Sequence, residues 1–284
     1  MGTGLFTIPN DEYRQKKDWV SNSELGLFQV APVIYKHRII DGNRSSFSRA
    51  LSEGSAVHAA VLEPQEFEKD YVSLPAMDMR LKANKDHKAM LQAANPAATL
   101  LAFEDYSRII ALARHVHEHP VAGPLIRLCD QIEQSFFWID PDLGVQCKGR
   151  ADALCLEQGI IVDLKTTKSA ASFSRSIADY GYHRQAAFYI DGLTLSTGRR
   201  DWTWYWAIVE PEAPFLMKVI QAKASDIEVG RREYKKLLQI YKDCKERNEY
   251  PGLDESIDTT TGLPGWYLER ANSGDIIELG QGGT

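Results

Sequence analysis

The stretch "QCKGRADALCLEQGIIVDLKTT", residues 146–167, decides the fold. Its first part reads as one strand, and "GIIVDLKTT" reads as the next. Side chains alternate across a strand, so Asp163 and Lys165 share a face that Leu164 opposes. In "CKGRADAL", Lys148, Arg150, Asp152 and Leu154 share one parity. If the two strands pair, Asp152 lies beside Asp163. Two carboxylates that close repel unless a cation sits between them. A hard divalent ion that takes oxygen ligands, Mg²⁺ or Mn²⁺, is the natural occupant. Lys165 would then neutralise developing charge or hold a water nucleophile, as in metal-assisted phosphodiester hydrolysis. Taken alone, an Asp-x-Lys at a strand end is more often a surface ion pair. The second acid on a neighbouring strand is what shifts the balance.

Outward from this stretch, "QIEQSFFWID" predicts a strand that joins "GVQCKGRADALCLE" through the turn "PDLG". Downstream come a helix over "HRQAAFYIDGLTL", two strands over "DWTWYWAIVE" and "APFLMKVIQA", and a long amphipathic helix from "ASDIEVGRREYKKLL" onward. Upstream the period is helical. "SNSELGLFQVAPVIYKHRI" predicts a short helix capped by Ser21 or Ser23. "SSFSRALSEGSAVHAAVLEPQEF" predicts a helix ending before Pro64. Residues 76–96 are basic and read as a mobile loop or weak helix. "ATLLAFEDYSRIIALARHVHEHP" reads as one amphipathic helix stopped by Pro120. Helices followed by β-β-β-α-β-β-α predict an α/β fold with a mixed central sheet flanked by helices and a helical N-terminal part packed on it. The expected organisation is a flexible stretch 1–20, a single domain 21–269 and a flexible tail 270–284. Within that domain, 21–128 is the helical part and 129–250 the α/β core.

The chain has 284 residues, 44% of them hydrophobic and 25% charged, which is ordinary globular composition. No apolar run approaches the roughly 20 residues of a membrane span, and the first 20 residues lack the pattern of a signal peptide. A cytoplasmic protein is expected. The four cysteines form no CxxC pair, so reduced, buried thiols are expected. A net charge of −6 argues weakly against non-specific nucleic-acid binding, but a basic groove can sit on an acidic body.

Three further residues share one helix face. Gln185 and Tyr189 are i and i+4, and Tyr182 lies three before Gln185. A glutamine amide and a phenol can bond phosphate oxygens or fix a neighbour of the metal, although plain amphipathicity also accounts for the stripe. His58, set among Ala and Val in "GSAVHAAVLEP", reads by itself as a half-core histidine.

In order, His58, Asp152, Asp163-x-Lys165 and Gln185-x-x-x-Tyr189 resemble the PD-(D/E)XK nuclease superfamily. "GSAVHAAVLEP", "CKGRADAL", "VDLKTT" and "YHRQAAFY" resemble the matching blocks of its RecE (exonuclease VIII) family, often phage or prophage encoded. "SNSELGLFQVAPVIYK" is similar to that family's opening block. The resemblance runs from about residue 21 to 210. It implies a restriction-endonuclease-like fold. His58, Asp152, Asp163 and the backbone carbonyl of Leu164 would be metal ligands, and Lys165 the catalytic lysine. Gln185 and Tyr189 would contact DNA or organise the site, and Glu133 matches an acid often found before the hairpin. It further implies a Mg²⁺- or Mn²⁺-dependent exonuclease acting on linear double-stranded DNA from 5′ ends and leaving 3′ single strands for recombination. The implied assembly is a homo-oligomeric ring, a tetramer or trimer, and the implied partner a single-strand annealing recombinase. Lys148, Arg150, Lys82, Lys85 and Lys88 are candidates for DNA-facing charge, with Tyr182 beside them. Two alternatives stay open: a structure-specific or single-strand nuclease of the same superfamily, and a catalytically silent DNA-binding module on this fold.

Overall fold

The strands carrying Asp152 and Asp163 are neighbours at the centre of a six-stranded sheet. The computed structural model describes residues 2–43, 49–78 and 80–253, with Gly265 and Glu269. In chain order it begins with β1 (Gly4–Phe6), α1 (Asn10–Gln15), α2 (Asn22–Val30) and α3 (Pro32–Tyr35), the last continued by a π-helical turn over Lys36–Ile40. There follow α4 (Arg49–Leu62), α5 (Pro64–Asp70), β2 (Tyr71–Leu74), α6 (Lys82–Ala94), β3 (Thr99–Ala102), α7 (Phe103–Glu118) and α8 (Ala122–Leu128). The second half holds β4 (Gln131–Ile139), β5 (Gln146–Cys155), β6 (Ile160–Thr166), α9 (Phe173–Asp179), α10 (Tyr182–Thr197), β7 (Thr203–Val209), β8 (Met217–Gln221) and α11 (Ala224–Arg247).

The large sheet runs β1-β4-β5-β6-β7-β8. Its neighbours are antiparallel except β6 and β7, which are parallel. A parallel pair cannot be closed by a tight turn and needs a crossover. Here α9 and α10 supply it. A strand covered on both faces reads as a continuous apolar run, which explains "GIIV". Ile161 packs with Leu154, Phe188 and Trp204 in the core under α10, while Val162 and Leu164 pack with Val57, Leu112 and Val116 of α4 and α7. The β5–β6 turn depends on Gly159, whose φ is +67°. A Cβ there would also stand 2.5 Å from the carbonyl oxygen of Asp201.

Several expectations need correction. The residues before 21 are tied down rather than loose. β1 pairs with β4, Trp19 and Val20 are buried, and the backbone of Val20 exchanges hydrogen bonds with the Gln146 carbonyl and the Lys148 N–H. Lys148, expected to face DNA, is almost fully buried in the wall of a groove. Only 2% of it is exposed, and its ammonium donates to the carbonyls of Tyr13 at 3.2 Å and Lys16 at 2.8 Å, at the end of α1. It fastens the N-terminal segment to the sheet. Of the two readings for residues 76–96 the helix holds over 82–94, with no residue of it buried. Thr99–Ala102 is a strand parallel to β2, so α7 starts only at Phe103. By contrast Ser21 caps α2 as expected, in a capping box with Glu24. The four cysteines are free and buried. Among the described residues no helix is long and apolar enough to cross a membrane.

Hydrogen bonds to a charged donor contribute about 1.5–3 kcal/mol each. Lys148→Ala should therefore destabilise the fold by roughly 3 kcal/mol in urea denaturation, and leave the salt dependence of any DNA binding unchanged. A stability change within about 0.5 kcal/mol, the scale of a surface substitution, would contradict this placement.

Met1–Tyr250 forms one compact unit and Pro251–Thr284 another. The expected fraying of residues 270–284 lies outside the described residues.

Candidate metal centre

The centre forms where two strands break their alternation together. β4 pairs Ile132 with Ala153 and Gln134 with Ala151, but Glu133 and Asp152 between them do not pair. Glu133 has φ +49°, uncommon outside glycine and a form of stored strain. On β5, Ala151 packs into the core under α10, whereas Ala153 packs into the core under α4. The shared parity of Lys148, Arg150, Asp152 and Leu154 therefore does not survive as a shared face.

The break brings three potential ligands together. His58 of α4, Glu133 of β4 and Asp152 of β5 offer ligand atoms that all lie within 4.8 Å of one another. His58 Nδ1 is 3.6 Å from Asp152 Oδ2. The same Oδ2 accepts the backbone N–H of Leu164 at 2.8 Å, filling the place where the β5–β6 ladder stops. His58 also meets the backbone of Leu164. Arg150, expected to face DNA, lines the neighbouring groove and is bonded within the centre. Its Nε donates to Glu133 at 2.7 Å, and its Nη1 donates to the Ile8 carbonyl and Ser135 Oγ. Glu133 is thus more central than the sequence suggested, and Asp163 lies outside the trio.

Asp163 sits with Lys165 and Gln185. Nζ of Lys165 is 2.7 Å from either carboxylate oxygen, and Gln185 Nε2 donates to Oδ1 at 3.0 Å. The ammonium is well aligned only on Oδ1, which leaves Oδ2 buried with no hydrogen-bond partner. Tyr182 lies under the ammonium, its ring centre 5.1 Å from Nζ. Tyr189 packs edge-on against Phe136 and Trp204 and meets the backbone of Arg150. The helix stripe therefore braces the centre, with Gln185 touching an acid directly.

Electrostatics shows what is missing. Burial pushes the carboxyls of Glu133 and Asp152 up, with Asp152 adding to the rise at Glu133. Asp163 is pushed up to about 6, by burial first and by Asp152 as well, against the opposing pull of Lys165. His58 is pushed down, by burial and then by Lys165, which keeps the imidazole neutral and able to ligate. Burial also disfavours the Lys165 ammonium, but Asp163 and Asp152 outweigh it and raise its pKa. One buried and two half-buried acids beside a neutral imidazole, with one carboxylate oxygen lacking a hydrogen bond, have only Lys165 and Arg150 to balance them and are short of positive charge. Oxygen donors with one imidazole suit a hard divalent cation, so the residues present fit the expected group.

Beside the centre lies an open groove of about 1110 Å³. Gln185, Tyr182 and Tyr189 line it, facing Tyr13 and the α2 residues Asn22, Gly26 and Gln29. Arg184 also lines it and was missed in the sequence. Its only signal there is a cation in the first turn of a helix, where the helix dipole favours an anion. Lys82, Lys85 and Lys88 lie on α6 and do not line this groove.

No curated protein matches the chain in sequence. Among solved structures, one of a Eubacterium rectale protein described as a "Putative exonuclease" is similar over 98% of this chain and 99% of that one, with a TM-score of 0.60 and 12% identity. That likeness shows the fold. The solved structure of SSO0001 reaches a TM-score of only 0.29 at 14% identity, over 66% of this chain and 85% of that one. A family profile matches residues 22–261, from the Ser21-capped helix past the end of α11, and spans every ligand candidate. The chain belongs to that family, described as the "PDDEXK-like domain of unknown function (DUF3799)".

Proposed function

We propose that the protein is a divalent-metal-dependent exodeoxyribonuclease that hydrolyses linear double-stranded DNA from 5′ ends and leaves 3′ single strands for recombination. One observation carries the reading: the His58–Glu133–Asp152 trio stands beside a buried Asp163–Lys165 pair at the end of one strand. The PDDEXK-like family and the fold neighbour described as an exonuclease point the same way. The direction of digestion, the duplex substrate, a single-strand annealing partner and a ring-shaped homo-oligomer rest on the resemblance to RecE.

In this reading His58, Glu133, Asp152, Asp163 and the Leu164 carbonyl hold Mg²⁺ or Mn²⁺. The cation supplies Lewis acidity toward the scissile phosphate and lowers the pKa of the attacking water. Gln185 fixes Asp163 through Oδ1 and leaves Oδ2 for the cation. Arg150 fixes Glu133 in the same way. Lys165 places its positive charge beside the reacting phosphate, orients the water, and offsets the charge that builds as the water oxygen bonds to phosphorus and the leaving oxygen departs. Tyr182 supports the lysine from below.

Excess EDTA should abolish cleavage, and Mg²⁺ or Mn²⁺ should restore it. Either ion at a hundred times its dissociation constant should also stabilise the fold by about 2.7 kcal/mol, readable as a rise in melting temperature. Full digestion in chelator would remove the metal from the mechanism. End-labelled linear duplex compared with closed circular DNA tests the rest. Loss of label from one end with circles spared is the expected result. Equal cutting of circles would favour an endonuclease of the same superfamily.

A further inference from the structure

Arg184 is 96% buried yet has no carboxylate bonded to it (4% exposed). Its Nε donates to Asn22 Oδ1 at 3.3 Å and its Nη1 to Gln29 Oε1 at 2.7 Å, both neutral groups on α2. Nη2 has no acceptor among the described residues. The acids nearby are bonded to other groups, and Glu233 acts on the guanidinium only across space. Glu233 bonds His183 Nε2 at 2.9 Å, Glu24 accepts both the N–H and the hydroxyl of Ser21, and Asp179 pairs with Arg175. A buried cation left without an anion is costly, so such a group ordinarily has a partner.

The space around the guanidinium is built for it. A Cβ on Gly26 would stand 3.1 Å from Nη2, and one on Gly181 would stand 2.8 Å away. Two backbone walls without side chains therefore leave Nη2 at the groove that Arg184 lines. The start of α10 adds a second feature. Its N-cap is Gly181, which offers no side-chain cap. The backbone N–H groups of Tyr182, His183 and Arg184 find no acceptor among the described residues. Tyr180, Tyr182 and Arg184 line the same groove. An uncapped helix N-terminus is a ready anion site, and a guanidinium beside it adds planar, charge-assisted donors.

We infer that Arg184 and the first turn of α10 form a phosphate subsite for the DNA strand, holding a phosphate other than the scissile one. The inference rests on the nuclease reading and deepens it. Gln185, the next residue along the same helix, bonds Asp163. A phosphate gripped at Arg184 therefore sets the register of the strand against the metal centre. The subsite recognises a phosphate group and nothing of the base, so it accepts an internal phosphodiester or a terminal phosphate.

The test uses the full chain in excess EDTA, where nothing is cut, with a labelled duplex carrying a short single-stranded end. Binding is read by fluorescence anisotropy across a salt series. Arg184→Gln should weaken binding about tenfold and make the log–log salt slope shallower by about one. In the wild type, neutralising one particular phosphate as a methylphosphonate, or replacing a 5′-phosphate by a 5′-hydroxyl, should cost the same factor. In Arg184→Gln that position should become silent. The position found separates an internal phosphate from a terminal one. Gly26→Ala keeps the arginine but crowds Nη2, and should weaken binding at the same position by a smaller factor. It also serves as the test if Arg184→Gln does not fold. A folded Arg184→Gln with wild-type affinity and slope would overturn the subsite. So would one that binds more weakly but keeps the wild-type methylphosphonate profile, which marks a structural role only. If Arg184→Gln does not fold, a wild-type profile in Gly26→Ala overturns it. A wild-type protein that binds no DNA defeats the nuclease reading itself.

Discussion

Lys165→Ala will bind Mn²⁺ at least as tightly as the wild-type protein, yet cleave DNA roughly 10²-fold more slowly or worse. The first half follows from the ion pair. The ammonium sits 2.7 Å from Asp163, so it competes with any cation for that carboxylate. Removing it unmasks a ligand. The second half follows from the transition state, in which negative charge builds on the oxygens around phosphorus and loses its preorganised counter-charge. A surface ion pair behaves differently: it is worth about 0–1 kcal/mol, and its loss leaves activity untouched. Calorimetric Mn²⁺ titration paired with single-turnover cleavage separates the cases. A Lys165→Ala protein that cleaves at the wild-type rate would defeat the assignment.

Asp163→Ala should fail in the opposite pattern, losing metal affinity and cleavage together, the latter by roughly 10³-fold or more. It removes the acceptor of both Lys165 and Gln185. The lysine side chain is only 16% exposed, so it is left as a largely buried charge with a weaker claim on Asp152. Breaking a buried pair from one side costs about 3–5 kcal/mol. A lower melting temperature should therefore accompany the lost activity, and Asp163→Asn should recover part of the stability without recovering cleavage. Retained metal affinity in Asp163→Ala would show that His58, Glu133 and Asp152 suffice as the ligand set.

What the sequence could reveal was local. Asp163 and Lys165 are two apart on a strand whose alternation holds, and Gln185 and Tyr189 are one helical turn apart. In each case the neighbour is fixed by backbone period. The bonds of Lys148 and Arg150 are invisible in the sequence because their partners are remote: the carbonyls of Tyr13 and Lys16 for one, Glu133 and Ile8 for the other. A shared face along β5 also needs an unbroken ladder, whereas the positive φ of Glu133 marks a break that no residue type announces. Glu is a poor sequence signal for that conformation, since glycine or asparagine is the usual marker. Residues 4–20 look polar and loose, but Phe6, Trp19 and Val20 are enough to anchor them against β4 and β5. Arg184 was invisible for a similar reason. Its burial is made by α2, which a periodicity in α10 cannot reveal.

The proposed ligand set is drawn from chain segments at very different separations along the sequence. Asp152 and Asp163 sit on strands joined by residues 156–159 alone, and the turn over residues 140–145 joins Glu133 to the same unit. Pairings this local pay little loop-closure entropy and form early. His58 comes from α4, on the far side of β2, α6, β3 and α7 in the chain, and reaches Asp152 only once α4 docks on β6 and α7. In a partly folded chain the acids are therefore expected to gather before their histidine arrives. In the nuclease reading cleavage would wait for α4 to dock, and half-made molecules would be harmless to the DNA around them.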